Sequence, residues 1–151
     1  MFFKKKSYDP NDLAAVESAL NISLPAFVHD FYAHESALIQ KLRKMANDED
    51  YIYLTTDFDW MIEHNRDFLN LPNTEGFCRG KLCIGTDGCG NDTFISLSGD
   101  DPRVFCLDMD TTAELMDEAT NDFRWEDDAL IKHDSLKHYV EDRITMLKEM
   151  G

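Results

Sequence analysis

The residues with the strongest potential for chemistry in this chain are four cysteines, Cys78, Cys83, Cys89 and Cys106. Thiolates are good zinc ligands, but a structural zinc site usually contains a Cys-x-x-Cys pair, and no two of these cysteines have that spacing. Two of them, Cys83 and Cys106, fall within predicted strands, where cysteine is an ordinary small core residue. The spacing therefore predicts no metal site, and we expect the thiols to be reduced.

A second candidate is the segment 87–92, Asp-Gly-Cys-Gly-Asn-Asp, which has some of the oxygen ligands of a calcium-binding loop. The calcium pattern needs oxygen ligands at alternating positions and a distant Glu on a following helix. Here a cysteine occupies the third position and a predicted strand follows. The segment is more typical of a glycine-rich hairpin loop.

A third candidate is the carboxylate pair Asp108 and Asp110 at the end of a predicted strand, which could hold a metal ion for hydrolysis. Acidic residues are equally common where a strand leads into a helix cap, so a metal-dependent hydrolase is only an alternative. The sequence contains no His-Glu-x-x-His motif, no Gly-x-Ser-x-Gly elbow and no phosphate-binding glycine motif. No motif in the sequence therefore supports catalysis, and we expect no cofactor.

Acidic residues outnumber basic ones, with 30 Asp and Glu against 15 Lys and Arg and a net charge of −15. Such a surface repels phosphates, which opposes binding to nucleic acid or to an anionic membrane and favours a basic protein partner. Eleven of the acids lie between residues 100 and 128, where only two arginines accompany them. No apolar run is long enough to span a membrane, and the first residues lack the apolar segment of a signal peptide, so we expect a cytoplasmic protein.

The segment 81–110 is predicted to form the centre of the fold that positions these residues. Three short antiparallel strands are predicted there, at 82–84, 93–98 and 104–109. A small sheet with an apolar face must be covered. Apolar residues at helical spacing predict that cover in five helices, which begin near Asp9-Pro10, at Pro25, after Thr56, after Thr111 and at Asp134 or Ser135. At 151 residues the chain is predicted to be one domain over residues 1–151.

Several local predictions are more specific. Residues 51–54 are predicted to form a strand, and Asp59 is predicted to accept the free N–H groups at the start of the helix after Thr56. The helix after the capping box at 111–114 is predicted to continue to Ala119, with residues 123–128 irregular. The sequence leaves two alternatives for the second helix, which either stops near residue 33 or continues through 37–42. Continuation is possible because no Gly or Pro interrupts that stretch.

Three segments carry a family resemblance. Leu24-Pro25 is followed by aromatic residues at 27, 31 and 32, the segment 84–97 reads Ile-Gly-Thr-Asp-Gly-Cys-Gly-Asn-Asp-Thr-Phe-Ile-Ser-Leu, and 104–110 reads Val-Phe-Cys-Leu-Asp-Met-Asp. In this order they resemble the opening helix, glycine-rich hairpin and following strand of the SUKH superfamily, which includes fungal cell-wall-assembly regulators and many bacterial toxin-immunity proteins. The resemblance implies an α+β fold with a central, mostly antiparallel sheet and helices packed around it. It also implies a protein-binding module without enzymatic activity.

The function that the resemblance and the charge favour is that of an immunity protein, which neutralises a basic toxin domain such as a nuclease. Complementary charge speeds encounter between such partners and sets their register. A regulatory scaffold with a cellular partner is the alternative. Trp125 is a predicted aromatic anchor, although Trp125 and Trp60 are equally explained as partly buried core residues. The predicted partner-binding residues are Asp87, Asp92, Asp100, Asp101, Asp108, Asp110, Trp125, Glu126, Asp127 and Asp128.

Overall fold

Helices precede and follow a central set of strands in this chain. A computed structural model of the protein describes residues 8–70, 80–108, 110, 112–120 and 122–150. Within these ranges the helices are α1 (Leu13–Leu20), α2 (Ala26–His34), α3 (Ser36–Met45), α4 (Phe58–Asn70), α5 (Thr112–Leu115) and α6 (Leu136–Met150). The strands are β1 (Lys81–Thr86), β2 (Asp92–Ser96), β3 (Val104–Leu107), β4 (Met116–Asp117), β5 (Asp122–Phe123) and β6 (Ile131–His133). None of the helices in the described ranges is both long and apolar enough to cross a bilayer.

The central sheet is antiparallel throughout, with the strand order β1-β2-β3-β6. The predicted set of three neighbouring strands is therefore confirmed, as is the α+β fold class. The fourth strand, β6, is not predicted by the sequence, because three residues are too few to show an alternating pattern. Its Lys132 lies opposite Phe105 of β3, so β6 widens the sheet on that side.

The main core lies on one side of this sheet. Alternate residues of a strand face opposite sides, and Leu82, Ile84, Ile95 and Val104 all face the helices. Buried residues of α1, α2, α3, α4 and α6 pack against them in one continuous cluster. The apolar stripes of the sequence thus bury one face of the sheet, as the predicted cover requires.

The other side of the sheet is covered by a short hairpin instead of a long helix. The helix α5 ends after four residues, and β4 and β5 pair in a separate two-stranded sheet. The prediction of a helix that continues to Ala119 is therefore wrong. The Asp117 carboxylate accepts the Ala119 N–H at 3.0 Å, which forms a turn and reverses the chain. This reversal returns Phe123 to a second buried cluster, which it shares with Leu115 and Trp125.

The segment before α4 runs beside β1 without forming a strand. Within 51–54 the only pairing is an isolated parallel bridge between Ile52 and Thr86, so the predicted strand is wrong. Tyr53 has a φ of 64°, in the left-handed region that interrupts a regular strand. The segment is nevertheless held by short hydrogen bonds from the Tyr53 N–H to Thr86 O and from the Thr55 N–H to Ile84 O, each of 2.6 Å.

The helix starts agree with the sequence in most places. The first helix is preceded by a 3-10 turn, Pro10–Asp12, that Asp9 caps, and the Ser135 hydroxyl accepts the His138 N–H at the start of α6. At the start of α4 the cap is Asp57, whose carboxylate accepts the Trp60 N–H at 3.1 Å, and the predicted cap at Asp59 is wrong. The sequence leaves open whether the second helix continues after residue 33. In the structure α2 ends at His34, and a separate helix, α3, begins at Ser36.

Some predictions fall outside the described residues. Cys78, one of the four cysteines considered as zinc ligands, is among the residues concerned. The predicted cap at Thr111 and the end of the third predicted strand at residue 109 are also outside.

Candidate functional site

The acids predicted to bind a partner are divided between the two ends of the central sheet. Thr86 of β1 lies opposite Asp92 of β2, and Asp92 lies opposite Leu107 of β3. This register places Asp87, Asp92 and Asp108 at one end. The β2–β3 turn, which contains Asp100 and Asp101, lies at the other end. The predicted residues therefore do not form a single patch.

At the end with the β2–β3 turn, the acids are already paired with an arginine. The Arg103 guanidinium donates to Asp101 Oδ1 at 2.8 Å and to Glu126 Oε2 at 2.9 Å. These contacts lower the pKa of both carboxyl groups below the usual range. The Asp127 carboxylate accepts the Ala129 N–H at 2.9 Å and lies near Arg124, and both contacts lower its pKa as well. The carboxylates of Asp101, Glu126 and Asp127 therefore already form hydrogen bonds or ion pairs within the chain.

At the opposite end, the acids organise loops. The Asp87 carboxylate accepts the Cys89 and Asn91 N–H groups at 2.8 and 3.2 Å, so the segment 87–92 is a hairpin loop closed by its own first residue. The Asp108 carboxylate accepts the Asp110 N–H at 2.8 Å. Asp108 and Asp110, the carboxylate pair that could hold a metal ion, thus form a local turn.

Besides Glu126, which is paired with Arg103, three of the predicted acids are exposed to solvent, namely Asp100, Asp110 and Asp128. Of these, Asp100 accepts a hydrogen bond from the Ser98 hydroxyl. They are free to contribute to the long-range field of the protein, whereas the paired acids contribute less.

Trp125 lies in the interior, with only 8% of its surface exposed. Its ring makes edge contacts with Phe94, Phe105 and Phe123 at centroid distances of 5.4 to 5.7 Å. The indole N–H donates to Asp122 Oδ1 at 3.1 Å. Trp125 therefore matches the core alternative left open by the sequence, and the structure offers no exposed indole face for a partner at this position.

An acidic cavity that the sequence does not predict lies between the start of the chain and α4. Its volume is about 440 Å³. The 3-10 turn and α1 form one wall, and residues 50–57 with the first turns of α4 form the other. We define the acidic cavity by its lining residues, which are Tyr8, Asp9, Asp12, Ala15, Asp50, Thr56, Asp57, Phe58, Asp59 and Ile62.

Three of the five aspartates in the acidic cavity have internal partners. Asp9 and Asp57 cap their helices, and Asp50 forms an ion pair with the buried Arg43 at 2.6 Å. Among the described residues, the carboxylates of Asp12 and Asp59 have no hydrogen bond or ion pair. These two exposed carboxylates are therefore available to a ligand.

The acidic cavity also has a buried polar group and an apolar wall. The Thr56 hydroxyl is buried, and it has no hydrogen-bond partner within the described part of the chain. Such a group gains when a ligand supplies the missing bond. Tyr8, Phe58 and Ile62 present apolar surface beside the carboxylates. An amphipathic cation such as an arginine or lysine side chain matches this combination, because its stem is apolar and its head is charged.

The sequence gives little indication of the acidic cavity. Asp9 and Asp12 are separated by about forty residues from Asp50, Asp57 and Asp59, and both groups are explained locally as helix caps and first-turn acids. The packing of α1 against α4 brings the two groups together. The repeated placement of acids at two helix starts is the only local signal.

Residues 8–128 match a family model described as the SMI1 / KNR4 family (SUKH-1). The chain belongs to this family. The match confirms the family resemblance, and its range includes the acidic cavity, the central strands β1 to β3 and, apart from Leu130, the second core cluster around Trp125. No curated protein and no solved structure matches the chain significantly.

In this SUKH-1 protein the fold also brings together three side chains that can bind a metal and that are separated in the sequence. His64 of α4, Cys83 of β1 and Asp92 of β2 each place one ligand atom within 4.8 Å of the other two. Burial raises the pKa of Asp92 above its usual range, and the neighbouring His64 opposes that rise. No Cys-x-x-Cys pair signals this group, because its three members come from three separate elements.

Proposed function

We propose that this SUKH-1 protein is a binding module that neutralises a basic protein, most specifically a toxin domain, and performs no catalysis of its own. The acidic cavity is the observation that carries the proposal. It combines the two carboxylates of Asp12 and Asp59 with a buried hydroxyl and an apolar wall. We infer that a lysine or arginine side chain of the partner enters it.

The charge of the whole chain supports the same class of partner. A net charge of −15 attracts a basic protein over distances of about 8 Å, the Debye length at physiological ionic strength. The exposed acids Asp100, Asp110 and Asp128 contribute to this attraction. The acidic cavity adds short-range contacts, which set the position of the partner and slow its dissociation.

The predicted acids at the sheet ends have a graded role in this proposal. Asp101 and Glu126 are joined through Arg103, so a partner that binds them must share or displace that guanidinium. We therefore expect them to contribute less to affinity than Asp12 and Asp59. Trp125 contributes by supporting the sheet surface from the interior.

The test compares two double variants with the same change in net charge. Asp12→Lys with Asp59→Lys alters the acidic cavity, and Asp110→Lys with Asp128→Lys alters exposed acids elsewhere. The partner is the protein that is recovered with the tagged chain from its native cell and then purified. We expect the cavity variant to bind at least about tenfold more weakly than the control variant, since close charge pairs contribute about 1.5 kcal/mol or more.

Three results would contradict the proposal. A recovered partner that is neutral or acidic would remove the electrostatic argument, and so would an affinity that does not fall with added salt. Equal losses in both double variants would leave the overall charge as the cause and would exclude the acidic cavity as the site. A toxin whose activity is restored when the cavity variant replaces the wild type would support neutralisation, whereas a partner without toxic activity would favour the regulatory scaffold.

A further inference from the structure

Three side chains with different metal-ligating atoms meet where α4 crosses the β1–β2 hairpin. His64 offers an imidazole nitrogen, Cys83 a sulfur and Asp92 a carboxylate oxygen, and all three atoms lie within 4.8 Å of one another. Cys83 is fully buried, whereas His64 and Asp92 are half-buried. The group therefore combines one fully buried donor with two donors on half-buried side chains.

These three donors form a ligand set that suits zinc. Zinc binds imidazole nitrogen, thiolate sulfur and carboxylate oxygen at about 2.0 to 2.3 Å in a tetrahedral arrangement, with water able to take a fourth position. Tetrahedral bonds of that length place neighbouring donor atoms about 3.4 to 3.6 Å apart. The donors therefore need to approach one another by about 1 Å, which rotation of the half-buried His64 and Asp92 side chains can supply.

Neighbouring residues already orient two of the donors. The Asn65 side chain accepts the Cys83 N–H and donates to the Cys83 carbonyl, both at 2.8 Å, which fixes the strand that carries the thiol. The His64 ring stacks on Trp60 at a centroid distance of 4.5 Å, and Trp60 stacks in turn on Tyr51. Supporting contacts of this kind hold ligands in place in metal sites and raise metal affinity.

We propose that His64, Cys83 and Asp92 bind a zinc ion that joins α4 to the β1–β2 hairpin. When the metal binds, the S–H bond of Cys83 breaks, the sulfur forms a bond to zinc and the proton passes to solvent, with no change of oxidation state. The ion brings positive charge to an enclosed carboxylate and stabilises the contact between a helix and two strands. This site is separate from the acidic cavity, and its existence does not depend on the proposed partner.

Cobalt titration of the full chain tests the site directly. Co²⁺ is added to chelator-treated protein, because a cobalt–thiolate bond gives a near-ultraviolet charge-transfer band and tetrahedral cobalt gives visible bands. We expect both bands in the wild type, and we expect zinc to displace them. Cys83→Ser should abolish the near-ultraviolet band, while the matched variants Cys89→Ser and Cys106→Ser should retain it.

Variants of the half-buried ligands protect the test against a folding defect at Cys83. We expect His64→Gln and Asp92→Asn each to weaken cobalt binding at least about tenfold while circular dichroism shows a folded protein. Zinc at a hundredfold excess over Kd should raise the Tm of the wild type by about 5 to 10 °C and that of His64→Gln by at most about 3 to 6 °C, because the variant binds the metal more weakly. The proposal is overturned by a wild type without a thiolate band, by a band that persists in Cys83→Ser, or by equal zinc stabilisation of wild type and His64→Gln.

Discussion

Replacement of Gly85 by alanine tests how the irregular segment before α4 is attached to the sheet. A β-carbon at position 85 would lie 2.3 Å from Tyr53 O and 2.9 Å from Leu54 N. Ordinary non-bonded contacts of carbon lie near 3.5 Å. Because both neighbouring atoms belong to the backbone, no side-chain rotation relieves the clash, and the segment must move by about 1 Å.

The magnitude follows from the bonds that this movement breaks. The hydrogen bonds at risk are those from Tyr53 N–H to Thr86 O at 2.6 Å, Thr55 N–H to Ile84 O at 2.6 Å, Thr86 N–H to Tyr51 O at 3.2 Å and Tyr139 O–H to Tyr53 O at 2.8 Å. At about 1 kcal/mol each, their loss lowers the free energy of unfolding by about 3 to 4 kcal/mol. For a protein of this size, that corresponds to a fall in Tm of about 6 to 16 °C.

The assay is urea denaturation followed by circular dichroism, with Gly99→Ala as the matched control. Among the described residues, no heavy atom outside the chain neighbours of Gly99 lies within 4 Å of a β-carbon at that position. We therefore expect Gly99→Ala to change stability by less than about 0.5 kcal/mol. Gly85→Ala should also weaken partner binding, because residues 50–57 form one wall of the acidic cavity. If the two variants unfold at the same urea concentration, the close approach at Gly85 does not determine stability.

Three further predictions concern the interior and the paired acids. Trp125→Ala should lower the free energy of unfolding by about 3 to 5 kcal/mol in urea denaturation, and Trp125→Phe by clearly less, because the indole fills the second core cluster. Asn65→Ala should cost about 2 to 4 kcal/mol and speed hydrogen exchange of the Cys83 amide, since both backbone groups of Cys83 lose a buried partner. Arg103 lowers the pKa of Asp101 in the folded state, so the stability it provides is present above pH about 3.9 and is lost as the pH falls. Wild type should therefore lose more stability than Arg103→Gln between pH 5 and pH 3, and an equal loss in urea titrations at these two values would contradict the role of the ion pair.

The central hairpins were predictable because their pattern is local. Leu82 and Ile84 alternate with Cys83, glycine and aspartate fill the loop that follows, and β2 resumes the alternation. The same reasoning fails after β3. Leu115, Met116 and Ala119 have the spacing of a helix. However, burial of Phe123 and Trp125 on the second side of the sheet requires the chain to reverse, and the turn at Asp117 makes that reversal.

The two candidate sites were less predictable than the fold, because each site is formed by residues that are far apart in the sequence. The acidic cavity needs α1 to pack on α4, and the metal-ligating group needs α4 to pack on β1. Charge composition predicts a basic partner, and the acids predicted to bind it are Asp87, Asp92 and seven acids between residues 100 and 128. Several of those carboxylates, such as Asp101 and Glu126, have internal partners, which no count of charges can show.

The hydrogen bond between the Tyr139 hydroxyl and Tyr53 O joins residues that are 86 positions apart. A ribosome adds about 5 to 20 residues per second, so the donor emerges roughly 4 to 17 seconds after its acceptor. Until α6 has been synthesised, the large core on the first side of the sheet also lacks Val140 and Ile144. The nascent chain therefore gains the support behind one wall of the acidic cavity only late in translation. The proposed binding activity should begin only after α6 has been made and has docked.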